Sequence, residues 1–491
     1  MGDMQTQINT ASKWSLLTEV ISKLLPPVTN MILARLLTPE AFGLVATITM
    51  VTSFAEIFAD AGFQKYLVQH DFEDEESFDC STNVAFWSNL TISLLLWLLI
   101  TLFRDGLAVA VGSRGLGVGI AVSAAAIPLT SFSSIQMSRF RRKMDFKSLF
   151  FVRVVGIFIP LFVTVPLAFI LRNYWALVIG NLSVCTINAI LLTVKSKWRP
   201  RFYFSFSCLK QMLSFSIWAL IERLLGWANL NIGIFIVGMY LSEYYLGLYK
   251  ISMAYVNQVL DIIVNSLAPV LLSSLARMNE NGNDAESIPD FFYRFNEKVA
   301  MFIIPLGVGV FVFRTLFTQV LLGGQWEDAT GFIGLWALMR TLSIVFDGFS
   351  MTLFIAIGKP KYAVLGQALT MCTLLSVLLL SAQYGYHTLY IARSLVVIFS
   401  TIVNAVLMKI AVNISPIRIV HLSAPYFFAA ILMGSVGWCL QQVSSSIFWH
   451  FVSVFLCIIV YFAILCMQPR TRESFFAILR GVLGKSFLHK K

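Results

Sequence analysis

Long apolar stretches separated by short polar segments make up most of the chain. A helix that crosses a membrane needs about 20 mostly apolar residues, and residues 84–103 and 447–467 are runs of this kind without Asp, Glu, Lys or Arg. The same criterion applied to the whole chain predicts fourteen spans. They are residues 14–36, 41–64, 82–103, 116–137, 147–170, 174–194, 211–240, 245–275, 293–318, 330–356, 361–382, 388–409, 422–440 and 447–467.

The positive charges between these spans indicate how the chain is threaded. Lys and Arg gather on the cytoplasmic side of membrane proteins. With the N-terminus inside, the inside segments hold 25 of them and the outside loops hold 5. The alternation predicts a multi-pass membrane protein with both termini in the cytoplasm. After the last span, Phe475, Ile478, Leu479 and Val482 recur at helical spacing among basic residues, which predicts an amphipathic tail helix on the inner leaflet.

Composition agrees with a membrane protein and excludes other classes. Of the 491 residues, 58% are hydrophobic and 12% are charged, whereas soluble domains carry about 25% charged residues. The net charge of +11 is typical of basic cytoplasmic loops, so we expect no nucleic-acid partner. The seven cysteines are scattered and no HExxH or P-loop motif occurs. The sequence therefore predicts neither a metal site nor a cofactor.

An internal repeat divides the chain. At an offset of 204 residues, Trp14, Ile32, Gly43 and Leu44 align with Trp218, Ile236, Gly247 and Leu248. Duplicated halves of six spans are common in secondary transporters. The expected fold is therefore all-α, with two parallel-repeat six-helix lobes around a central cavity and two further C-terminal helices. The predicted domains are residues 1–205, 206–412 and 413–491.

Several segments carry a family resemblance. ASKWSLLTEVI, MILARLLTPEAFGLVA and FAEIFADAGFQKYLVQ near the start, and SIQMSRFRRKMDFKSL, LGGQWEDA and AIGKPKYAV further on, resemble bacterial polysaccharide transporters. These are the Wzx-type lipid-linked oligosaccharide flippases, and the chain is similar to their colanic acid exporters. Their superfamily also holds multidrug exporters and the peptidoglycan-precursor flippase. The resemblance implies two six-helix lobes, a V-shaped cavity, alternating access and a polysaccharide polymerase as a partner.

Ionisable residues within the spans are the candidate functional groups. Each costs about 2.5–3.5 kcal/mol at mid-bilayer on insertion scales, so we expect them to face partners or water inside the protein. Basic residues are expected to contact the substrate's pyrophosphate and glycan, because Arg binds phosphate through paired hydrogen bonds. These residues are Lys23, Arg153, Arg223, Arg340 and Arg393.

The acidic residues of the spans have two interpretations. They either bind a coupling ion, H⁺ or Na⁺, or pair with basic residues to hold the helices together. They are Glu19, Glu56, Asp60, Glu222, Asp261 and Asp347. Glu19 and Lys23 share a helical face, as do Arg340 and Asp347. Pro26 and Pro27, in the middle of the first span, predict a kink that serves either as a hinge or as a fixed bend.

The sequence thus predicts a transporter rather than an enzyme. Its substrate would be a polyprenyl-pyrophosphate-linked oligosaccharide, flipped between leaflets for polysaccharide synthesis. One alternative is a cation-coupled multidrug exporter, which favours an acidic and aromatic cavity. A second is a membrane glycosyltransferase or ligase, which needs large soluble loops with Asp, Glu or His. The longest inside loop, residues 276–292, offers only four acidic residues among small polar ones.

Overall fold

The computed structural model describes residues 14, 21–22, 25–60, 62–196, 198–281 and 287–476. All regular secondary structure in this part of the chain is helical, without a β-strand. Contacts divide the protein into two compact units, which we call unit 1 (Met1–Lys250) and unit 2 (Ile251–Lys491). Helix α12 (Glu243–Asn281) runs from one into the other.

Unit 1 is built from long helices interspersed with short ones. They are α1 (described over residues 25–36), α2 (Pro39–Asp60), α3 (Phe63–Gln69), α4 (Glu75–Leu102), α5 (Arg104–Ala110), α6 (Gly117–Ala124), α7 (Ala126–Arg142), α8 (Phe146–Ile159), α9 (Val165–Leu171), α10 (Trp175–Ser196) and α11 (Phe206–Tyr240). A π-helical turn, Pro160–Thr164, joins α8 to α9. Because Pro160 lacks an N–H group and its ring disturbs the preceding turn, the helix widens at this point instead of continuing regularly.

Unit 2 is likewise a series of helices joined by short connections. After α12 come α13 (Ile288–Val312), α14 (Arg314–Leu321), a 3₁₀ turn (Gly324–Ala329), α15 (Thr330–Phe346), α16 (Ser350–Ala356), α17 (Pro360–Ala382), α18 (Tyr386–Val412), α19 (Pro416–Gln441) and α20 (Ile447–Met467). A last helical stretch covers residues 469–476. The predicted amphipathic tail lies mostly beyond it, outside the described residues.

Polar residues begin several helices. The Asp74 carboxylate accepts a hydrogen bond from the amide of Ser77 at the start of α4 (2.7 Å). Asp145 does the same for Ser148 at the start of α8 (3.1 Å). Such caps satisfy amides that the first helical turn leaves without partners. Short polar segments therefore fix where the apolar runs begin as helices.

Twelve helices in the described part are long and apolar enough to cross a membrane. They correspond to twelve of the fourteen predicted spans, which confirms an all-α polytopic membrane protein. The two others are residues 14–36, which are only partly described, and residues 211–240, which lie within α11 but include side chains outside the described part. The count of fourteen therefore stays a prediction, as does the domain boundary at residue 205.

The starts of α2 and α12 approach each other very closely. A Cβ atom added to Gly43 would lie 1.9 Å from the carbonyl oxygen of Glu243, and one added to Gly247 would lie 1.9 Å from that of Pro39. The two contacts are reciprocal under the repeat offset of 204 residues, which relates Pro39 to Glu243 and Gly43 to Gly247. Only glycine permits backbones to come this close.

We expect Gly43→Ala and Gly247→Ala to destabilise the protein, because the added methyl group overlaps a backbone carbonyl that cannot rotate away. Overpacking of this kind typically costs about 1–3 kcal/mol. Thermal unfolding of the purified protein in detergent, followed by tryptophan fluorescence, should show a lower midpoint. Gly226→Ala is the control, because in the described part of the chain no atom outside its own helix backbone lies within 4 Å of its added Cβ. Equal midpoints for all three variants would contradict the close approach.

Candidate functional site

The structure describes six of the ionisable site candidates with their surroundings, together with Arg153. Glu56 and Arg223 share one pocket of unit 1, and Arg153 lines another. Unit 2 holds Asp261, Arg340, Asp347 and Arg393.

The remaining candidates are not tested by the structure. Glu19 and Lys23 lie outside the described residues, as do the side chains of Asp60 and Glu222. Pro26 and Pro27 are half-buried at the start of the described stretch of α1, next to residues 23–24, which lie outside it. Their role as a hinge stays a prediction.

The Glu56 pocket is a polar cavity of about 190 Å³ among the helices of unit 1. Glu56 comes from α2 and Arg223 from α11. The remaining lining residues are mostly hydroxyl- and amide-bearing: Ala59, Gln64, Asn89, Ile127, Thr130, Ser131 and Ser134. Glu56 and Arg223 were expected from the sequence to be functional, and the structure adds the neutral polar groups around them.

Hydrogen bonds fix part of this lining. The Asn89 amide on α4 donates to the Ser134 hydroxyl on α7 (3.0 Å), and that hydroxyl donates to the carbonyl of Ser131 (3.0 Å). The Ser131 hydroxyl oxygen is buried without a hydrogen-bond partner in the described part of the chain. Such a group is suited to binding a hydroxyl or water that enters the pocket, because a buried unpaired polar atom costs about 1–3 kcal/mol.

Three helices of unit 2 form a second polar region, which we call the polar seam. The Trp336 indole N–H on α15 donates to Asn257 Oδ1 on α12 (3.0 Å). One turn further on, Arg340 Nη2 donates to Asp261 Oδ1 (2.8 Å). From α18, the guanidinium carbon of Arg393 lies 4.5 Å from the centre of the Trp336 ring, a cation–π contact.

Asp347 lies at the other end of the seam, where α15 stops. Its side chain is buried, and its carboxylate accepts hydrogen bonds from Thr401 Oγ1 (3.1 Å) and Asn404 Nδ2 (2.9 Å) on α18. The sequence placed Arg340 and Asp347 on one helical face, and both contact Ser343: the Arg340 guanidinium lies 3.5 Å from its hydroxyl, and the Asp347 amide donates to its carbonyl. The carboxylate partner of Arg340, however, is Asp261.

Arg153, also in unit 1, does not line the Glu56 pocket. It is an exposed residue of α8 that lines a pocket of about 480 Å³ with Arg141 of α7 and Asn188 of α10. None of the residues of the Glu56 pocket lines this one. In the part of the chain that the structure describes, no group of three or more His, Cys, Asp or Glu side chains could hold a metal ion.

Sequence reasoning missed the neutral members of these sites. Asn257, Asn404 and Asn188 are amides inside apolar runs, and Trp336 was not assigned a polar role. The available signal was helical spacing: Asn257 lies four residues before Asp261, and Trp336 four before Arg340, so each shares a face with the ionisable residue. Polar groups within spans satisfy each other across helices.

The fold belongs to a known class of membrane transporters. The chain superposes on the lipid II flippase MurJ, in an inward closed conformation, with a TM-score of 0.73 and 15% identity, covering 93% of this chain and 99% of that one. It also superposes on an inward-facing multidrug resistance transporter of the MATE family with a TM-score of 0.62 and 15% identity, covering 82% and 96%. At these identities the likeness shows the fold.

Sequence comparison gives the family. The family described as "Polysaccharide biosynthesis protein" matches residues 32–331, so the chain belongs to this family. It is 24% identical over 327 residues to the succinoglycan biosynthesis transport protein ExoT of Rhizobium meliloti, covering 67% of this chain and 65% of that protein. It is 22% identical over 350 residues to the teichuronic acid biosynthesis protein TuaB of Bacillus subtilis, covering 71% of each. The family resemblance expected from the sequence is confirmed.

We expect the Asp261–Arg340 pair to contribute to stability in unit 2. Asp261→Asn or Arg340→Gln should each lower the free energy of unfolding by about 1–3 kcal/mol, because each leaves a half-buried charge without its partner. The double variant should lose less free energy of unfolding than the sum of the losses in the two single variants. Unfolding in mixed micelles measures the three values.

The exposed pair Arg104–Asp105, at 3.6 Å, is the control for this experiment. Because solvent screens such pairs, Arg104→Gln should change stability by less than about 1 kcal/mol. Strict additivity of the Asp261 and Arg340 variants would argue against a direct pair.

Proposed function

We propose that this protein flips a polyprenyl-pyrophosphate-linked oligosaccharide repeat unit from the cytoplasmic to the outer leaflet of the bacterial inner membrane. The product would feed the synthesis of an exopolysaccharide, capsule or O-antigen, with a polysaccharide polymerase as a further partner. The step moves a molecule and forms no covalent bond, so the proposal is a transporter and not an enzyme.

The observation that carries the proposal is the lining of the Glu56 pocket. An arginine and a carboxylate stand there with five side chains that bear hydroxyl or amide groups, all within a bundle of apolar helices. Sugars present many hydroxyl groups and pyrophosphate presents negative charge. Hydroxyls and amides match the first through hydrogen bonds, and a guanidinium matches the second.

The relatives support the same class of substrate. ExoT is named as a transport protein of succinoglycan biosynthesis, and MurJ as a flippase for lipid II. Both names concern moving or making glycans at a membrane. Flipping of a lipid-linked sugar is the activity that fits both the names of these relatives and the presence of a polar pocket among membrane-spanning helices.

Alternating access is the proposed mechanism, with the predicted lobes 1–205 and 206–412 moving about the hinge at Pro26 and Pro27. Binding of a coupling ion, H⁺ or Na⁺, would favour one conformation over the other, since a ligand shifts an equilibrium only by its differential affinity. Asp347 is the proposed ion site. Both termini and the amphipathic tail, residues 470–491, would face the cytoplasm.

A cation-coupled multidrug exporter is the second candidate, favoured by the likeness to the MATE transporter fold. The Glu56 pocket argues against it, because drugs of that type are largely apolar and the described lining contains no aromatic residue. Uptake of an organic cation into vesicles with purified protein would support this candidate if lipid-linked sugar is not flipped.

Arg223→Glu should abolish flipping, because the reversed charge repels the pyrophosphate in the pocket. The assay uses purified protein in vesicles that contain a fluorescent polyprenyl-pyrophosphate oligosaccharide, and measures how much of it becomes accessible on the opposite leaflet. Arg114→Glu, an exposed change in the connection between α5 and α6, is the matched control and should keep full activity. Full flipping by Arg223→Glu, with normal amounts of folded protein, would refute the pocket as the substrate site.

Asp347→Asn should remove the dependence of flipping on an ion gradient, because the neutral amide cannot bind a proton or sodium ion as the carboxylate does. The rate is compared with and without a H⁺ or Na⁺ gradient across the vesicle. Glu327→Gln, in the exposed 3₁₀ turn, controls for the loss of one carboxylate. If flipping by Asp347→Asn depends on the gradient as strongly as flipping by the wild type, Asp347 is not the coupling site.

A further inference from the structure

Three arginines occupy the last turn of α7, and the protein uses them differently. Arg139 forms an ion pair with Asp79 and lies over the Phe78 ring at 5.0 Å. Arg142 donates from Nη1 to the carbonyls of Leu67 (3.1 Å) and His70 (2.7 Å). Both guanidinium groups are therefore satisfied by neighbouring elements of unit 1.

The third arginine has no such role. The Arg141 guanidinium is exposed and has no hydrogen-bond or ion-pair partner among the residues that the structure describes. It lines the pocket of about 480 Å³ that also receives Arg153, which we call the Arg141 pocket. The guanidinium groups of Arg141 and Arg153 both line one cavity between α7, α8 and α10, and of the two only the Arg141 charge is without a partner in the described part of the chain.

The rest of the lining is amphipathic. Asn188 supplies an amide from α10, and its Oδ1 atom is buried without a hydrogen-bond partner in the described part. The other lining residues are apolar: Met137, Phe146, Leu149, Phe150 and Val152. The pocket therefore combines positive charge, one hydrogen-bond acceptor without a donor, and an apolar wall.

These three features specify the ligand. Two arginines bind the oxygens of a phosphate through charge-assisted hydrogen bonds. The Asn188 oxygen requires a donor, such as a hydroxyl group beside the phosphate. The apolar wall fits the adjoining hydrocarbon. Basic pockets between membrane helices on the cytoplasmic side are suited to phospholipid head groups, and the basic α7–α8 connection is on the predicted cytoplasmic side.

We propose that the Arg141 pocket binds the phosphate-bearing head group of a membrane lipid that carries a neighbouring hydroxyl or N–H donor. Phosphatidylglycerol meets this description through its glycerol hydroxyl groups, and a sugar-bearing polyprenyl pyrophosphate meets it through the hydroxyl groups of its sugar. In the first case the site anchors unit 1 to the leaflet. In the second it captures the carrier lipid before transport. The site is separate from the Glu56 pocket, and its lipid binding does not depend on the proposed transport function.

Native mass spectrometry of the purified full-length protein in detergent tests the proposal. The probes are dioctanoyl phosphatidylglycerol, undecaprenyl pyrophosphate that carries one sugar, and dioctanoyl phosphatidylcholine, titrated separately. We expect at least one anionic probe to bind with a defined stoichiometry and the zwitterionic probe to bind more weakly. Arg141→Gln and Arg153→Gln should each raise the dissociation constant of the anionic probe roughly tenfold. This is the effect expected from the loss of one charge-assisted hydrogen bond.

Lys143→Gln is the matched control. It removes one positive charge just after α7, but Lys143 does not line the pocket, so its affinity should equal that of the wild type. Asn188→Asp supplies a second test, because a carboxylate beside the two arginines should repel the anionic probe. It should lower the affinity for that probe at least as much as each arginine variant does. Circular dichroism and gel filtration confirm that each variant is folded.

The pattern of binding identifies the source of the lipid. Tight binding of phosphatidylglycerol identifies a site for bulk anionic lipid. Binding of the sugar-bearing undecaprenyl pyrophosphate without binding of phosphatidylglycerol identifies a capture site for the carrier. Affinities for both anionic probes that are unchanged in Arg141→Gln, Arg153→Gln and Asn188→Asp would overturn the proposal. Equal binding of phosphatidylcholine would also overturn it.

Discussion

A charged side chain in a span must find its partner inside the protein, and in unit 2 this requirement fixes how helices align. The bonds Asn257–Trp336 and Asp261–Arg340 both join residues 79 apart. A constant separation over one helical turn means that α12 and α15 run in the same direction at that level. A shift of one turn, about 5.4 Å, would break both bonds together. Polar contacts therefore set a register that apolar packing, which tolerates sliding, does not specify.

The same reasoning extends to α18. Arg393 lies 57 residues after Trp336, whose ring it covers, and Asn404 lies 57 residues after Asp347, to which it donates. Three parallel helices are thus held at fixed offsets by a tryptophan, two aspartates, two arginines and two asparagines. One predicted span, residues 293–318, separates the spans that contain α12 and α15, which agrees with the alternating directions that the loop charges indicated. The seam serves stability through these pairs, and the buried Asp347 carboxylate joins it through its hydrogen bonds from α18.

The elements could be predicted from the sequence much better than the partners. Apolar runs such as residues 447–467 have the length of a span, and the hydrophobic effect leaves them few other choices. The pairing of Asp261 with Arg340 joins residues from different helices, and local spacing carries no information about such contacts. Spacing did place Arg340 and Asp347 on one face, but the buried Asp347 carboxylate is satisfied from α18. Neutral amides such as Asn188 do not stand out in an apolar run, because they carry no charge. Only the structure shows that the Asn188 oxygen has no hydrogen-bond partner in the described part of the chain.

The glycine contact in unit 1 gives the sequence repeat a physical meaning. A close approach between α2 and α12 brings each helix's first turn against the other's backbone, so a side chain on either one would separate them. One glycine would relieve only half of the overlap, because Gly43 faces the carbonyl of Glu243 while Gly247 faces that of Pro39. A duplicated sequence supplies both glycines at equivalent positions at once. Reciprocity of this kind is what two-fold-related contacts require, and it explains why the turn residues Thr38–Pro39 and Ser242–Glu243 differ in type while the two glycines do not.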